Sequence, residues 1–121
     1  MASIVLVEDT PANRALATKL LAAAGHDVAS ASSGAEGVEL VAERRPDLVL
    51  MDLGLPDIDG VDAMHQIRSS IPGGKELTII AFTAHAMVGD RERALADGFD
   101  DYLSKPIEFE TFVQSVEALL P

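Results

Sequence analysis

The chain has 121 residues, no cysteine, an apolar fraction of 48%, and 20 acidic against 9 basic side chains for a net charge of −11. That length suits one domain spanning residues 1–121, and the missing thiols exclude disulfides and thiolate metal sites. The acidic balance repels nucleic acid and anionic membranes, no apolar run approaches a membrane span, and the opening MASIVLVED lacks a secretion signal, so neither partner is expected and the cytoplasm is the expected location.

Ile4 to Val7 reads as a first strand buried on both faces, and it runs directly into Glu8 and Asp9. Thr10-Pro11 opens a helix, with Thr as its cap and Pro at the first helical position; Leu16, Leu20, Leu21 and Ala24 face inward, and Gly25 stops it. Asp27 to Ala31 is a shorter, more polar strand suited to a sheet edge. Ser33 and Glu36 have capping-box spacing, and the helix they open turns Ala35, Val38, Val41 and Ala42 inward before closing at Arg44-Arg45-Pro46.

Leu48 to Met51 is a fully apolar run, hence a central strand, and Asp52 stands where it ends. A carboxylate there is either a strand-terminating cap or a group placed for chemistry, because the crevice of an open parallel sheet lies at the carboxyl ends of its strands. The loop that follows, LGLPDIDG, mimics part of a calcium loop, but Leu55 and Gln66 would occupy its first and last ligand positions. Its Asp57-Ile58-Asp59 also follows Pro56 rather than a strand, unlike a phosphatase nucleophile. It reads as a turn, with Asp59 capping a helix from about Val61 to Ser69 that packs through Val61, Met64 and Ile67.

After Pro72-Gly73-Gly74 comes a fourth strand, Leu77 to Phe82, ending on Thr83. A helix from about Val88 to Asp97 has a thin apolar face, Ala94 and Leu95, and is expected to be loosely held. Tyr102-Leu103 forms a brief fifth strand, Asp100 and Asp101 beside it read as solvated turn charges, and Ser104-Lys105-Pro106 turns into a last helix with Phe109, Phe112, Val113, Val116, Leu119 and Leu120 inward. His26, His65 and His85 lack metal-ligand spacing; His85 is open between the rim of a site and an ordinary loop position.

Strands alternating with helices imply an α/β fold, a doubly wound five-stranded parallel sheet of the flavodoxin-like type. In the order 2-1-3-4-5, Glu8, Asp9, Asp52, Thr83 and Lys105 all fall at the carboxyl edge. Two like charges about 4 Å apart repel by roughly 4 kcal/mol at an effective dielectric near 20, so three carboxylates there need cations. Lys105 supplies one, and a hard divalent ion, Mg2+ where phosphate also binds, neutralises the rest. Asp52, ionised at neutral pH, is then an available nucleophile toward a phosphoryl group.

With Glu8-Asp9, Asp52 and its LPDIDG loop, Thr83-Ala84 and Lys105-Pro106, the chain resembles a response-regulator receiver domain of two-component signalling across its whole length. The resemblance implies Asp52 as phosphoacceptor, with Thr83 and Lys105 serving the phosphoryl group. It implies Mg2+ held at the acidic pair Glu8 and Asp9, at Asp52 and at the Gly54 backbone carbonyl. It also implies a switch formed by Thr83 and Tyr102, and a cis Lys105-Pro106 peptide bond. Such a domain catalyses only its own phosphorylation and dephosphorylation. Its partners would be a sensor histidine kinase or histidine phosphotransferase, and a downstream protein on the face of the fourth helix, fifth strand and fifth helix. Glu at the head of the acidic pair is a common variant, whereas Gly54 leaves no side chain beside the metal and bears on dephosphorylation. The run from Ala81 to Ile107 resembles single-domain and hybrid-kinase receivers, which leaves open a stand-alone protein or a piece of a larger one. Two rivals are an interaction module that keeps the fold without the chemistry, and an enzyme or flavin carrier; the complete polar set speaks against the first. The second would need a Gly-rich phosphate loop or an aromatic pair, and the sequence has neither.

Overall fold

The computed structural model describes residues 2–84, 89–105, 107–108 and 110–121. Its strands are β1 (Ser3–Val7), β2 (Asp27–Ala31), β3 (Leu48–Met51), β4 (Thr78–Thr83) and β5 (Asp101–Ser104), and its helices are α1 (Pro11–Ala23), α2 (Gly34–Arg44), α3 (Gly60–Ser70), α4 (Asp90–Asp97) and α5 (Phe112–Ala118). The sheet has the order β2-β1-β3-β4-β5, every pair parallel, as the sequence predicts.

Side chains of successive strand residues point to opposite faces, which divides the core in two. Val5, Val7, Val49, Met51, Ile79 and Ala81 pack with Val41, Ala63, Met64, Ile67 and Ala94 of α2, α3 and α4. Ile4, Leu6, Leu48, Leu50, Ile80 and Phe82 pack on the other face with Ala17 and Leu21 of α1 and Phe112 and Val116 of α5. Strands covered on both faces have no need to alternate polar with apolar residues, hence the unbroken runs of β1 and β3.

Several local expectations are corrected. Thr10 is the N-cap of α1, but its side chain accepts no capping hydrogen bond; instead the Thr10 N–H donates to Glu8 Oε2 at 3.0 Å. Ser33 Oγ accepts from the Glu36 N–H, yet the Glu36 carboxylate accepts from Ser32 Oγ rather than closing the box. The inward stripe of α2 is Gly34, Gly37 and Val41, with Val38 packed beside them as predicted and Ala35 and Ala42 exposed. Gly37 lies so close to the Val7 side chain that a Cβ there would collide, so the bare backbone, not an alanine, meets the sheet. Ala24, the C-cap of α1, is exposed, and so is Leu95 in α4, at 43%. Asp59 caps α3 as predicted, accepting from the Val61 N–H at 2.9 Å. Val88, His85, Phe109 and Pro106, and with Pro106 the expected cis peptide, lie outside the described residues.

Candidate functional site

Register assembles the site. Val7 lies opposite Met51 and the Asp52 N–H donates to the Val7 carbonyl, so the residues after β1 stand beside Asp52. Thr83 lies opposite Ser104, and the Lys105 N–H donates to the Thr83 carbonyl, which carries Lys105 back over the sheet edge. Gly60 begins α3 against the Asp52 carbonyl, where a Cβ would collide with the backbone; glycine is thus required for the helix to start this close to the acceptor.

Ligand oxygens of Glu8, Asp9 and Asp52 lie within 4.8 Å of one another. Lys105 Nζ contacts Glu8 Oε1 and donates to Asp52 Oδ2 at 3.3 Å, and it sits 5.1 Å from the Phe82 ring centroid. Asp52 Oδ1 accepts from the Gly54 N–H at 3.0 Å. Each Asp52 oxygen therefore has a donor. Burial works to raise this carboxyl, but the Gly54 N–H and the Lys105 charge outweigh it and hold it below the usual aspartate range. Glu8 is fully buried, and burial pushes its carboxyl above the ordinary value against the pull of Lys105. Asp9 and Asp52 bring two further carboxylates beside it, with Lys105 Nζ in contact with both Glu8 and Asp52. The donor set, all hard oxygen, fits a divalent cation of the magnesium type.

Thr83 is 3% exposed at the end of β4. Tyr102 on β5 is half-buried, its hydroxyl enclosed with no hydrogen-bond partner among the described residues. Thr83 and Tyr102 both line a cavity of about 260 Å3, which Leu53, Ala94 and Arg93 also border. The sequence-predicted set Glu8, Asp9, Asp52, Gly54, Thr83 and Lys105 is thus brought to one edge, with Tyr102 one cavity away.

Other contacts escaped the sequence reading. Arg14 on α1 donates to the Glu8 carbonyl at 2.9 Å and to the Asp9 carbonyl at 3.5 Å, steadying the loop that carries the acidic pair. Asp100 is no solvated turn charge: its Oδ2 accepts from the Ile79 N–H at 2.8 Å and from Arg68 at 3.0 Å. Asp101 pairs with Arg91 at 3.0 Å. Asp57 accepts from the Gly34 and Ala35 N–H groups of α2 at 2.8 and 2.9 Å. One signal was available for it, since Asp59 alone suffices to cap α3 and leaves Asp57 without a local task.

Comparison with known proteins agrees with this geometry. The family model described as the response regulator receiver domain matches residues 4–117. The polar-differentiation response regulator DivK of Brucella anthropi is 35% identical over 118 residues, which cover 98% of this chain and 95% of that protein. The receiver domain of sensor histidine kinase PA1611 from Pseudomonas aeruginosa, with a magnesium ion coordinated in the active site cleft, is 36% identical with a TM-score of 0.83, covering 98% of this chain and 93% of that one. The chemotaxis response regulator CheY4 of Vibrio cholerae, 23% identical with 99% of each chain covered, shares the fold at a TM-score of 0.89. Among the described residues no helix is long and apolar enough to cross a membrane.

Proposed function

The chain belongs to the response regulator receiver domain family, and on that premise we propose that Asp52 is its phosphoacceptor, served by Lys105 and Thr83 and by a Mg2+ ion held at Glu8, Asp9, Asp52 and the Gly54 carbonyl. Phosphorylation and Mg2+ are general features of the family. The observation that carries the assignment is the setting of Asp52: its oxygens accept from the Gly54 N–H and from Lys105 Nζ within a cluster it forms with Glu8 and Asp9.

An Asp52 oxygen attacks the phosphorus of a phosphohistidine presented by a histidine kinase or histidine phosphotransferase. The new O–P bond forms as the P–N bond breaks, and its electron pair stays on the departing imidazole nitrogen. Lys105 moves its charge from Asp52 Oδ2 to a phosphoryl oxygen, and the Thr83 hydroxyl donates to another. Bound Mg2+ supplies charge neutralisation for the carboxylates and the transferring group. Water later hydrolyses the acyl phosphate, and the glycine at position 54 sets no side chain against its approach. The magnesium in the cleft of the PA1611 receiver supports the metal assignment. As Thr83 turns to the phosphoryl group, Tyr102 responds through their shared cavity, and the face formed by α4, β5 and α5 changes its affinity for a downstream protein.

The test is intact-mass measurement after incubation with Mg2+ and acetyl phosphate. The parent gains one phosphoryl group and Asp52→Asn gains none; an acyl phosphate mapped to Asp57 or Asp59 would overturn the assignment.

A further inference from the structure

The loop between β3 and α3, residues 52–59, is fixed at two places beyond Asp52. At its exit the Gly60 N–H donates to the Leu53 carbonyl at 3.2 Å and Asp59 caps α3. At its tip the loop is fastened to a different helix: Asp57 Oδ1 accepts from Gly34 N–H and Oδ2 from Ala35 N–H, the leading amides of α2. Beside this clasp the Ile58 side chain fills the place that a Cβ on Gly34 would occupy, so carboxylate and apolar contact lock the same two backbones together. The two amides hold the Asp57 carboxyl below its ordinary value, so the clasp is a charged one. Ser33 already satisfies a third amide of α2, at Glu36, so the helix keeps a cap of its own without Asp57.

We propose that Asp57 is a positioning residue for the metal site: by clasping the N-terminus of α2 it holds the loop, and with it the Gly54 backbone, in place against Asp52. Only Leu55 and Pro56 separate Gly54 from the clasp, and the Gly54 N–H is already bonded to Asp52 Oδ1. A loop released at its tip samples other positions for the Gly54 carbonyl, so the cation binds less tightly although every carboxylate ligand remains. The inference rests on the reading that Gly54 contributes to Mg2+ binding.

The experiment is calorimetric titration with MgCl2, without phosphodonor, of the parent, Asp57→Ala, Asp57→Asn and Ser33→Ala, alongside amide hydrogen exchange at Gly34, Ala35 and Gly54. Asp57→Ala is expected to weaken Mg2+ binding about tenfold, the low end of the loss when an outer-shell partner of a metal site is removed. Exchange at all three amides should quicken. Asp57→Asn, keeping one carbonyl oxygen as acceptor, should fall between. Ser33→Ala removes a cap from the same helix without touching the loop and should leave Mg2+ affinity unchanged. Parental affinity in Asp57→Ala overturns the proposal, as does an equal loss in Ser33→Ala, which would assign the effect to α2 alone. If Asp57→Ala does not fold, Asp57→Asn against Ser33→Ala decides. A parent that binds no Mg2+ defeats the metal assignment and this inference together, whereas a parent that binds and an Asp57→Ala that binds equally well defeats only the inference.

Discussion

Lys105 is the cation on which the acidic cluster depends, one-tenth exposed and in contact with a fully buried Glu8. Removing one partner of a buried pair leaves an uncompensated charge, a loss of about 3 kcal/mol or more. Lys105→Met should lose this stability in chelator and recover part of it in Mg2+, as read by urea denaturation; an equal loss in both would mean that Mg2+ and Lys105 do not share the same carboxylates. Tyr102 offers a second test. Burial first, and then the charge of Asp90, raise its phenol above the ordinary 10.0. The folded chain therefore keeps this proton where the unfolded chain has lost it, so the contribution to stability is whole below pH 10.0 and fades as pH rises through the folded value. Tyr102 is the only tyrosine, so an absorbance titration reads a single group. Its midpoint should lie above that of the same chain in denaturant, and a coincident midpoint would show the hydroxyl to be open to water.

Among the elements, α4 buries only Ala94 and is tied at its C-terminal end as well as through Arg91 to Asp101. His65 Nε2 bonds the Asp97 carbonyl at 2.8 Å, and Arg68 Nε donates to the Gly98 carbonyl at 3.1 Å. The same guanidinium also donates to the Gly74 and Leu77 carbonyls and pairs with Asp100, which joins α3, β4 and the turn after α4. Arg68→Ala should cost about 2 kcal/mol, in the range for hydrogen bonds to a charged group, and should speed amide exchange from Ala94 to Asp101 before it affects β1. No change in that segment would mean that α4 is held elsewhere. These ties show why legibility differed between strands and side chains. Runs such as Leu48 to Met51 announce buried strands because burial on both faces excludes polar residues locally, and β2 and β3 begin and end where the sequence places them. The site acids were legible for the same reason, Glu8 and Asp52 being the first polar residue after such a run and Asp9 following Glu8 directly. Asp57, Arg68 and Asp100 instead act on backbone amides and carbonyls far along the chain, groups that every residue carries and no composition marks. Leu95 misled because a short helix with few apolar residues leaves its facing undetermined.

At the scale of the molecule, the two ends of the chain are tied by a buried histidine. His26 Nδ1 accepts from the Ala2 N–H at 3.0 Å while Nε2 donates to Glu117 on α5 at 2.8 Å. All four strand pairings are parallel, so none closes through a hairpin and each waits for a crossover helix. That connectivity sets an order of arrival. In a sheet built outward from the β1–β3 pair, Glu8, Asp9 and Asp52 meet as soon as β3 joins β1, whereas Lys105 follows the edge strand β5 and comes last. A sheet that assembles in this order gathers three carboxylates before Lys105 reaches them, and in that interval a divalent cation balances them. Refolding of the full chain in stopped flow should therefore quicken as Mg2+ replaces chelator at matched ionic strength, and a rate indifferent to Mg2+ would place cluster assembly after the rate-limiting step. The ion that equips the finished domain for signalling would then have an earlier task, standing in for a lysine not yet in place.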